Sequence, residues 1–244
     1  MRSIRLYVDA PLAAGTLANL PEAAVAHLVR VLRMGVGDAF VLFNGDGCDY
    51  PARLINVGKK HAEAELLGRV ELDNESPLRI TLAQGIARGD KMDLILQKAA
   101  ELGVAVIAPV LTERTEVRLD GERVDKKMLH WRGVLAAACE QCGRARLPTL
   151  LEPQSLPTFA ANDRNQRRFV LDPEAGKRLA GLEIQARDEV TLLIGPEGGL
   201  SERDLAALRA AHFEGLQLGP RILRTETAGL AAIAALNSLY GDWR

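Results

Sequence analysis

The chain has 244 residues, 48% of them hydrophobic, with 31 lysines and arginines against 32 aspartates and glutamates, a net charge of −1 and three cysteines. That length suits one large domain or two unequal ones, and the cysteine usage excludes a disulfide-stapled scaffold. No run of eighteen or more apolar residues exists, so no membrane partner is expected, and a near-neutral chain excludes nucleic-acid binding by bulk charge alone.

The opening "MRSIRLYVDA" lacks the apolar stretch of a signal peptide, and so few cysteines fit a reducing interior, so a cytoplasmic location is expected. The segment "PEAAVAHLVRVLR" has the look of a short helix. "AFVLFNGDGCDY" has apolar runs on both sides of Asn44-Gly45-Asp46-Gly47, which is a hairpin signal. "ARLINVGKKHAEAELLG" repeats that arrangement with a turn at Gly58-Lys59-Lys60. These elements predict a small β-barrel of roughly 70 residues. The polar, acidic stretch "ELDNESPL", closed by Pro77, marks a seam and divides the chain into domains 1–72 and 73–244.

Beyond the seam, strands and helices alternate. "RITLAQG" predicts a strand, "KMDLILQKAAELG" a helix closed by Gly103, and "VAVIAPV" a buried strand. A helix over 125–142, the strand "RRFVLD" and a short helix over "PEAGKRLAG" follow. The strand "VTLLIG", the helix "SERDLAALRAAH", the strand "LQLG" and a terminal alanine-rich helix complete the series. Alternation of this kind predicts an α/β domain with a mostly parallel sheet.

Two strands end alike, "LLIGPEGG" and "LQLGPRIL", about one β-α-β unit apart. In a parallel sheet they can be neighbours, with both breaks at the ligand-binding, C-terminal edge. Gly195, Gly198 and Gly199 permit close approach of a ligand. Ser201 is a good N-cap, with Asp204 three residues on. A phosphate cradle is disfavoured, because no P-loop lysine and no G-x-G-x-x-G occur and Glu197 sits inside the loop. A cationic, phosphate-free nucleoside such as S-adenosyl-L-methionine fits better. In "RTETAGLAAIAAL", Thr225 and Thr227 are plausible helix caps and Glu226 suits the positive end of the helix. The small side chains that follow allow close packing within the chain, against a knotted loop or across a dimer.

Cys139 and Cys142 form a lone C-x-x-C late in a helix, without the second pair that zinc needs. His27, His61, His130 and His212 share no ligand spacing, so no metal is expected. A dinucleotide-binding dehydrogenase fails for want of its glycine fingerprint.

The motifs "LLIGPEGGLSERDL" and "LGPRILRTETAGLAAIAAL", with "HLVRVLRMGVGD", "KMDLILQKAAELGV" and "ACEQCGRARLP", resemble the RsmE-type 16S ribosomal RNA uracil-N3 methyltransferases of the SPOUT superfamily. The similarity runs the whole chain. It implies a trefoil-knotted SPOUT domain, threaded near 195–230, behind a PUA-like barrel that grips RNA. It further implies a homodimer that uses S-adenosyl-L-methionine to methylate N3 of one uridine in 16S rRNA of the small ribosomal subunit. Carried over by position, the cofactor would rest on Leu171, Ile194, Gly195, Pro196, Glu197, Gly198, Gly199, Leu218, Gly219, Ile222, Leu223 and Arg224.

Uridine N3 must lose its proton before or during attack, so the site needs a base or a cation that stabilises the anionic ring. Arg221, Arg224 and Arg5 are the candidates for the second task, and Glu197 or Glu226 for the first. RNA contacts are expected from Arg30 and Arg33, Arg88 and Lys91, and Arg144 and Arg146, provided that they share a face. A ribose 2′-O methyltransferase and a non-catalytic RNA-binding factor are the rival readings.

Overall fold

A computed structural model describes residues 3–117 and 120–243. The chain divides into two compact units. One comprises the chain up to Asn74 together with Ala136–Leu147, and the other comprises Glu75–Leu135 and the chain from Pro148 onward. Segment 136–147 thus packs with the N-terminal unit, although the polar seam lies at 71–78.

The N-terminal unit holds β1 (Arg5–Tyr7), β2 (Leu17–Asn19), α1 (Glu22–Val25), β3 (Ala39–Phe43), β4 (Cys48–Val57), β5 (Ala62–Leu66) and β6 (Val70–Glu71). The sheet order is β1-β3-β4-β5-β2, with β6 paired to β4. β1 runs parallel to β3, while the β3–β4, β4–β5 and β5–β2 pairs are antiparallel. Strand alternation explains the core: Cys48, Tyr50, Ala52 and Leu54 point inward along β4 and pack with Leu42, Ala64 and Leu28. The 44–47 turn forms as the spacing predicts, with Gly45 and Gly47 both at φ +93°. Asp46 anchors that turn, accepting from the Cys48 N–H at 2.8 Å and the Tyr50 hydroxyl at 2.6 Å.

The expected regular helix over 21–33 is only one α turn long. The chain then widens into a π turn, Ala26–Val31, closed by the Leu32 N–H on the His27 carbonyl at 3.0 Å. Three valines, at 25, 29 and 31, restrict side-chain freedom in a tight helix and weaken it.

Segment 136–147 completes the unit. Glu140 accepts the Tyr7 N–H at 2.9 Å, and the Ala145 carbonyl accepts the Gly47 N–H at 3.2 Å. Burial is the main influence on Glu140 and pushes its carboxyl above the usual carboxylate range, against the opposing pull of the Tyr7 N–H and of the charges on His27 and Arg5.

The C-terminal unit contains β7 (Arg79–Gly85), α2 (Asp90–Glu101), β8 (Val106–Leu111), α3 (Glu122–Cys142), β9 (Thr149–Leu150), β10 (Gln154–Ser155), α4 (Leu156–Asn162), β11 (Arg167–Leu171), β12 (Glu189–Ile194), α5 (Glu202–Ala210), β13 (Glu214–Leu216) and α6 (Thr225–Tyr240). The last two turns of α3 lie within segment 136–147. The sheet order is β10-β8-β7-β12-β11-β13, with β9 beside β8, and every pairing is parallel. This is the α/β architecture that the alternating pattern predicts.

Three details differ from the expectation. β12 and β13 are not neighbours, because β11 lies between them and pairs with both. The helix expected over 173–181 is an Asp172-anchored turn followed by a single 3₁₀ turn, Leu179–Gly181. There the Lys177 carbonyl accepts the Gln217 N–H at 2.8 Å and Arg178 bridges to Gln217, so the segment is drawn out beside β13. α4 has no counterpart in the sequence reading. Its Ser155 cap accepts the Thr158 N–H at 3.2 Å, and Pro157 sits in its first turn, a favoured place for proline.

The alanine-rich α6 packs within its own unit, on α2, β7 and β12. At Gly229 an added Cβ would stand 3.4 Å from both Ile194 and Leu82, and Ala232, Ile233 and Leu236 continue that buried face.

Candidate active site

β12, β11 and β13 are parallel, so their C-terminal ends share one edge of the sheet. β12 ends at Ile194 and turns through Gly195–Leu200. β11 ends at Leu171. β13 ends at Leu216 and turns through Gln217–Arg224 into α6. A cavity of about 480 Å³ lies between these ends. The two Gly-Pro corners therefore enclose one space even though β11 separates their strands.

Close packing and hydrogen bonds fix the first corner. Gly85, at the end of β7, abuts it so tightly that a Cβ would lie 2.5 Å from the Pro196 nitrogen. Gly199 turns at φ +71°, a conformation that favours glycine. Arg114 donates to the Gly198 carbonyl at 3.1 Å. Ser201 and Asp204 form the reciprocal capping box that their spacing predicts.

The second corner is tied to the first through Thr225. Its hydroxyl donates to the Gly195 carbonyl at 2.6 Å and accepts from Gln84 Nε2 at 2.9 Å. Thr225 thus joins the two corners instead of capping α6, as the TET triplet suggests. Arg224 occupies the cap position, without a side-chain cap bond.

Aliphatic side chains wall the cavity: Leu171, Ile194, Leu200, Leu205, Leu216, Leu218, Ile222 and Leu223. Ile222 is 83% exposed at the rim, an apolar surface open to a partner. The charged lining consists of Lys91, Asp172, Glu197, Arg221, Arg224 and Glu226. Burial alone would raise the Glu197 carboxyl. Hydrogen bonds from the Glu197 and Arg88 backbone N–H groups, together with Lys91, outweigh it and hold the group below the ordinary carboxylate range.

Most of the expected cofactor positions therefore meet at the cavity: Leu171, Ile194, Gly195, Pro196, Glu197, Gly199, Leu218, Gly219, Ile222, Leu223 and Arg224 all line it. Gly198 faces Arg114 instead, where a Cβ would approach the Arg114 Cβ to 3.1 Å. Arg221 also lines the cavity.

Arg5 is held inside the N-terminal unit. Its guanidinium pairs with Asp49, donates to the carbonyls of Cys139 and Arg144, and lies 4.6 Å from the centre of the Phe43 ring. Among the expected RNA contacts, Arg30 and Arg33 are exposed, and Arg30 donates to the Lys59 carbonyl at 3.3 Å. Arg88 is exposed and pairs with Glu116, Arg144 is buried, and Arg146 is exposed beside Gly47. Lys91 turns into the cavity. Asp172, Leu200, Leu205 and Leu216 were not anticipated as lining residues; Leu216 ends the apolar run of β13, whereas Asp172 and Leu200 sit in loops and Leu205 on α5, where no local pattern shows which side chain faces a cavity.

The fold and site define an RNA methyltransferase. The family described as RNA methyltransferase domain matches residues 74–237, and that described as RNA methyltransferase PUA domain matches residues 20–67. A curated relative, Ribosomal RNA small subunit methyltransferase E of Buchnera aphidicola subsp. Schizaphis graminum, is 33% identical over 98% of this chain and 97% of its own. The solved enzyme of the same name from Neisseria gonorrhoeae, bound to S-adenosyl methionine, is 37% identical with a TM-score of 0.92 over 100% of both chains. A methyltransferase of Legionella pneumophila, solved in complex with SAM, is 40% identical with a TM-score of 0.96 over 99% of this chain and 100% of its own. The chain belongs to the ribosomal RNA small subunit methyltransferase E family.

Proposed function

We propose that the protein transfers a methyl group from S-adenosylmethionine to N3 of a uridine in the 16S RNA of the small ribosomal subunit. One observation carries this reading: two glycine-proline corners, tied by Thr225, enclose an aliphatic cavity whose loop carries an ionised glutamate. Asp172, Glu197 and Glu226 balance Lys91, Arg221 and Arg224 in the lining, so the cavity offers no net positive charge to hold a polyphosphate, whereas a phosphate-free nucleoside needs none. The cofactor-bound relatives from Neisseria and Legionella support the same assignment.

When bound, S-adenosylmethionine supplies an electrophilic methyl on a sulfonium. Leu171, Ile194, Leu218, Ile222 and Leu223 would hold its adenosine part and exclude water from the reacting atoms. Arg224 and Arg221 carry exposed guanidinium groups at the rim, suited to stabilising negative charge spread over the uracil O2 and O4 as N3 loses its proton. Glu197, held ionised below the usual range, is a weak proton acceptor and acts as a loop anchor. Arg5 is a structural residue of the N-terminal unit on its present contacts. The exposed Arg30, Arg33 and Arg146 are the RNA-contact candidates that the N-terminal unit presents.

The trefoil knot, the homodimer and the cytoplasmic location belong to the same proposal. No helix among the described residues is long and apolar enough to cross a membrane. Exposed Leu129, Leu239 and Trp243 offer apolar surface that a second copy would cover. Labelled S-adenosylmethionine, incubated with the protein and small subunits from cells lacking the gene, should give N3-methyluridine on nucleoside mapping. A ribose methyl would redirect the assignment, and no transfer at all would support a non-catalytic binding role.

A further inference from the structure

Lys91 lies in the first turn of α2, outside both corners, yet its side chain reaches the cavity between them. Its ammonium stands 3.4 Å from Glu197 Oε1 and 3.7 Å from Glu226 Oε2. Glu197 belongs to the first corner, and Glu226 to the first turn of α6, directly after the second. One nitrogen thus faces one carboxylate from each loop.

The two carboxylates are not equally provided for. Glu197 also accepts the Arg88 N–H at 3.1 Å. Glu226 Oε2 is buried and accepts no hydrogen bond. Among the described residues, Lys91 is the only cation within ion-pair distance of either group. The other charged groups lining the cavity, Asp172, Arg221 and Arg224, form no ion pair with them. Without Lys91, two negative groups would face each other across a partly desolvated space, where their repulsion is weakly screened.

We infer that Lys91 is a positioning residue whose ammonium bridges the two corners and sets the spacing of the cofactor cavity. This rests on the reading that the cavity holds S-adenosylmethionine. It also removes Lys91 from the RNA-contacting set, because an ammonium held between two carboxylates is poorly placed to neutralise a phosphate. The bridge is electrostatic, so removing one carboxylate should lift the need for the cation. A residue that only packs would show no such rescue.

The probe is S-adenosylhomocysteine, titrated calorimetrically into the full-length protein without RNA. Its thioether has no sulfonium, so loop geometry is measured apart from attraction between the cavity and a cationic ligand. Lys91→Met should weaken binding about tenfold, Lys91→Arg should stay within about threefold of wild type, and the K91M/E226Q pair should bind at least about threefold more tightly than Lys91→Met. Raising the salt concentration should narrow the gap between wild type and Lys91→Met. Binding by Lys91→Met equal to wild type, or a double variant as weak as Lys91→Met itself, overturns the bridge. If Lys91→Met does not fold, the double variant decides: restored folding and binding support the bridge, and continued failure overturns it. A wild-type protein that binds neither S-adenosylhomocysteine nor S-adenosylmethionine would instead sink the cofactor assignment, and the bridge with it.

Discussion

Arg224 contributes its backbone to the fold and its side chain to the cavity. Its carbonyl accepts the N–H groups of Thr227 and Ala228 at 2.9 and 2.8 Å, opening α6, while the side chain is exposed. Arg224→Ala should therefore lower single-turnover methylation about 10²–10³-fold with little change in melting temperature. Wild-type turnover by that variant would remove its assigned role. Thr225, one residue on, behaves in the opposite way. It is buried, and replacing it with Val deletes the bond to Gly195 and leaves Gln84 Nε2 with only the Gly85 carbonyl at 2.9 Å. A loss of about 1–3 kcal/mol is expected in denaturant unfolding, with Thr225→Ser close to wild type. The sequence made Arg224 legible, because a motif displays residue type. It misassigned Thr225, because a hydroxyl at a helix start is as good a cap as it is a tie, and only the position of Gly195 decides between them. Charge adds a second contrast. The Glu197 pKa is depressed, so its contribution to stability is present above the ordinary carboxylate range and is lost as pH falls through the lowered value. The Glu140 pKa is raised, so its contribution is complete below the ordinary value and is lost as pH rises through the raised one. Glu140→Gln keeps an oxygen for the Tyr7 N–H and removes the buried charge. It should melt about 1–3 °C higher than wild type at neutral pH and lose that advantage near about pH 4; a lower melting temperature at neutral pH would contradict the account.

Local signals predicted elements well and their neighbours poorly. The 44–47 hairpin, α2 with its Gly103 stop at φ +82°, and the Ser201–Asp204 capping box follow from chemistry confined to a few residues, and each forms where the spacing places it. The order of β12, β11 and β13 does not follow from such chemistry. Alternation fixes a parallel sheet but leaves open which strand enters between two others, and β11 takes that place. The 173–181 stretch fails as a helix for a similar reason. Its long-range bond to Gln217 within the same chain outweighs a weak propensity interrupted by Gly176. Gly85 shows how an element end, unremarkable in sequence, governs the site. It closes β7 with nothing to mark it as a ligand-loop glycine, yet its missing side chain lets the Gly195-Pro196 corner sit against the sheet. Its predicted Cβ contact at 2.5 Å is with backbone nitrogen, which cannot swing aside. Gly85→Ala should cost about 1–3 kcal/mol of stability and weaken cofactor binding at least about tenfold as the corner is displaced. Gly229→Ala serves as the control, since a Cβ there meets only flexible side chains at 3.4 Å and α6 gains helix propensity, so binding and stability should stay near wild type.

The division of the chain is visible in sequence at one border and hidden at the other. A polar, proline-closed stretch at 71–78 announces a seam by composition. The return of 136–147 to the N-terminal unit has no such sign, since its partners lie 69 to 139 residues earlier in the chain. The C-x-x-C within it is part of that return: Cys139 is a buried thiol whose Sγ lies 3.7 Å from the Arg146 carbonyl, packing as a small apolar group. The consequence is that residues 1–74 are an incomplete unit. Without 136–147, the Tyr7 N–H loses Glu140, the Gly47 N–H loses the Ala145 carbonyl, and the Arg5 guanidinium loses the carbonyls of Cys139 and Arg144. Arg5 already has its Nε buried without a partner, so it is poorly placed to tolerate further loss. Each of these lost hydrogen bonds forfeits about 0.5–1.5 kcal/mol, and a core drawn from about 70 residues supplies only about 3–5 kcal/mol. A peptide of residues 1–74 should therefore lack a cooperative urea transition by circular dichroism. The same residues joined through a short flexible linker to 136–147 should show one, along with dispersed amide resonances. Equal transition midpoints with and without the added segment would mean that the N-terminal sheet is self-sufficient and that the return of 136–147 contributes nothing to its stability.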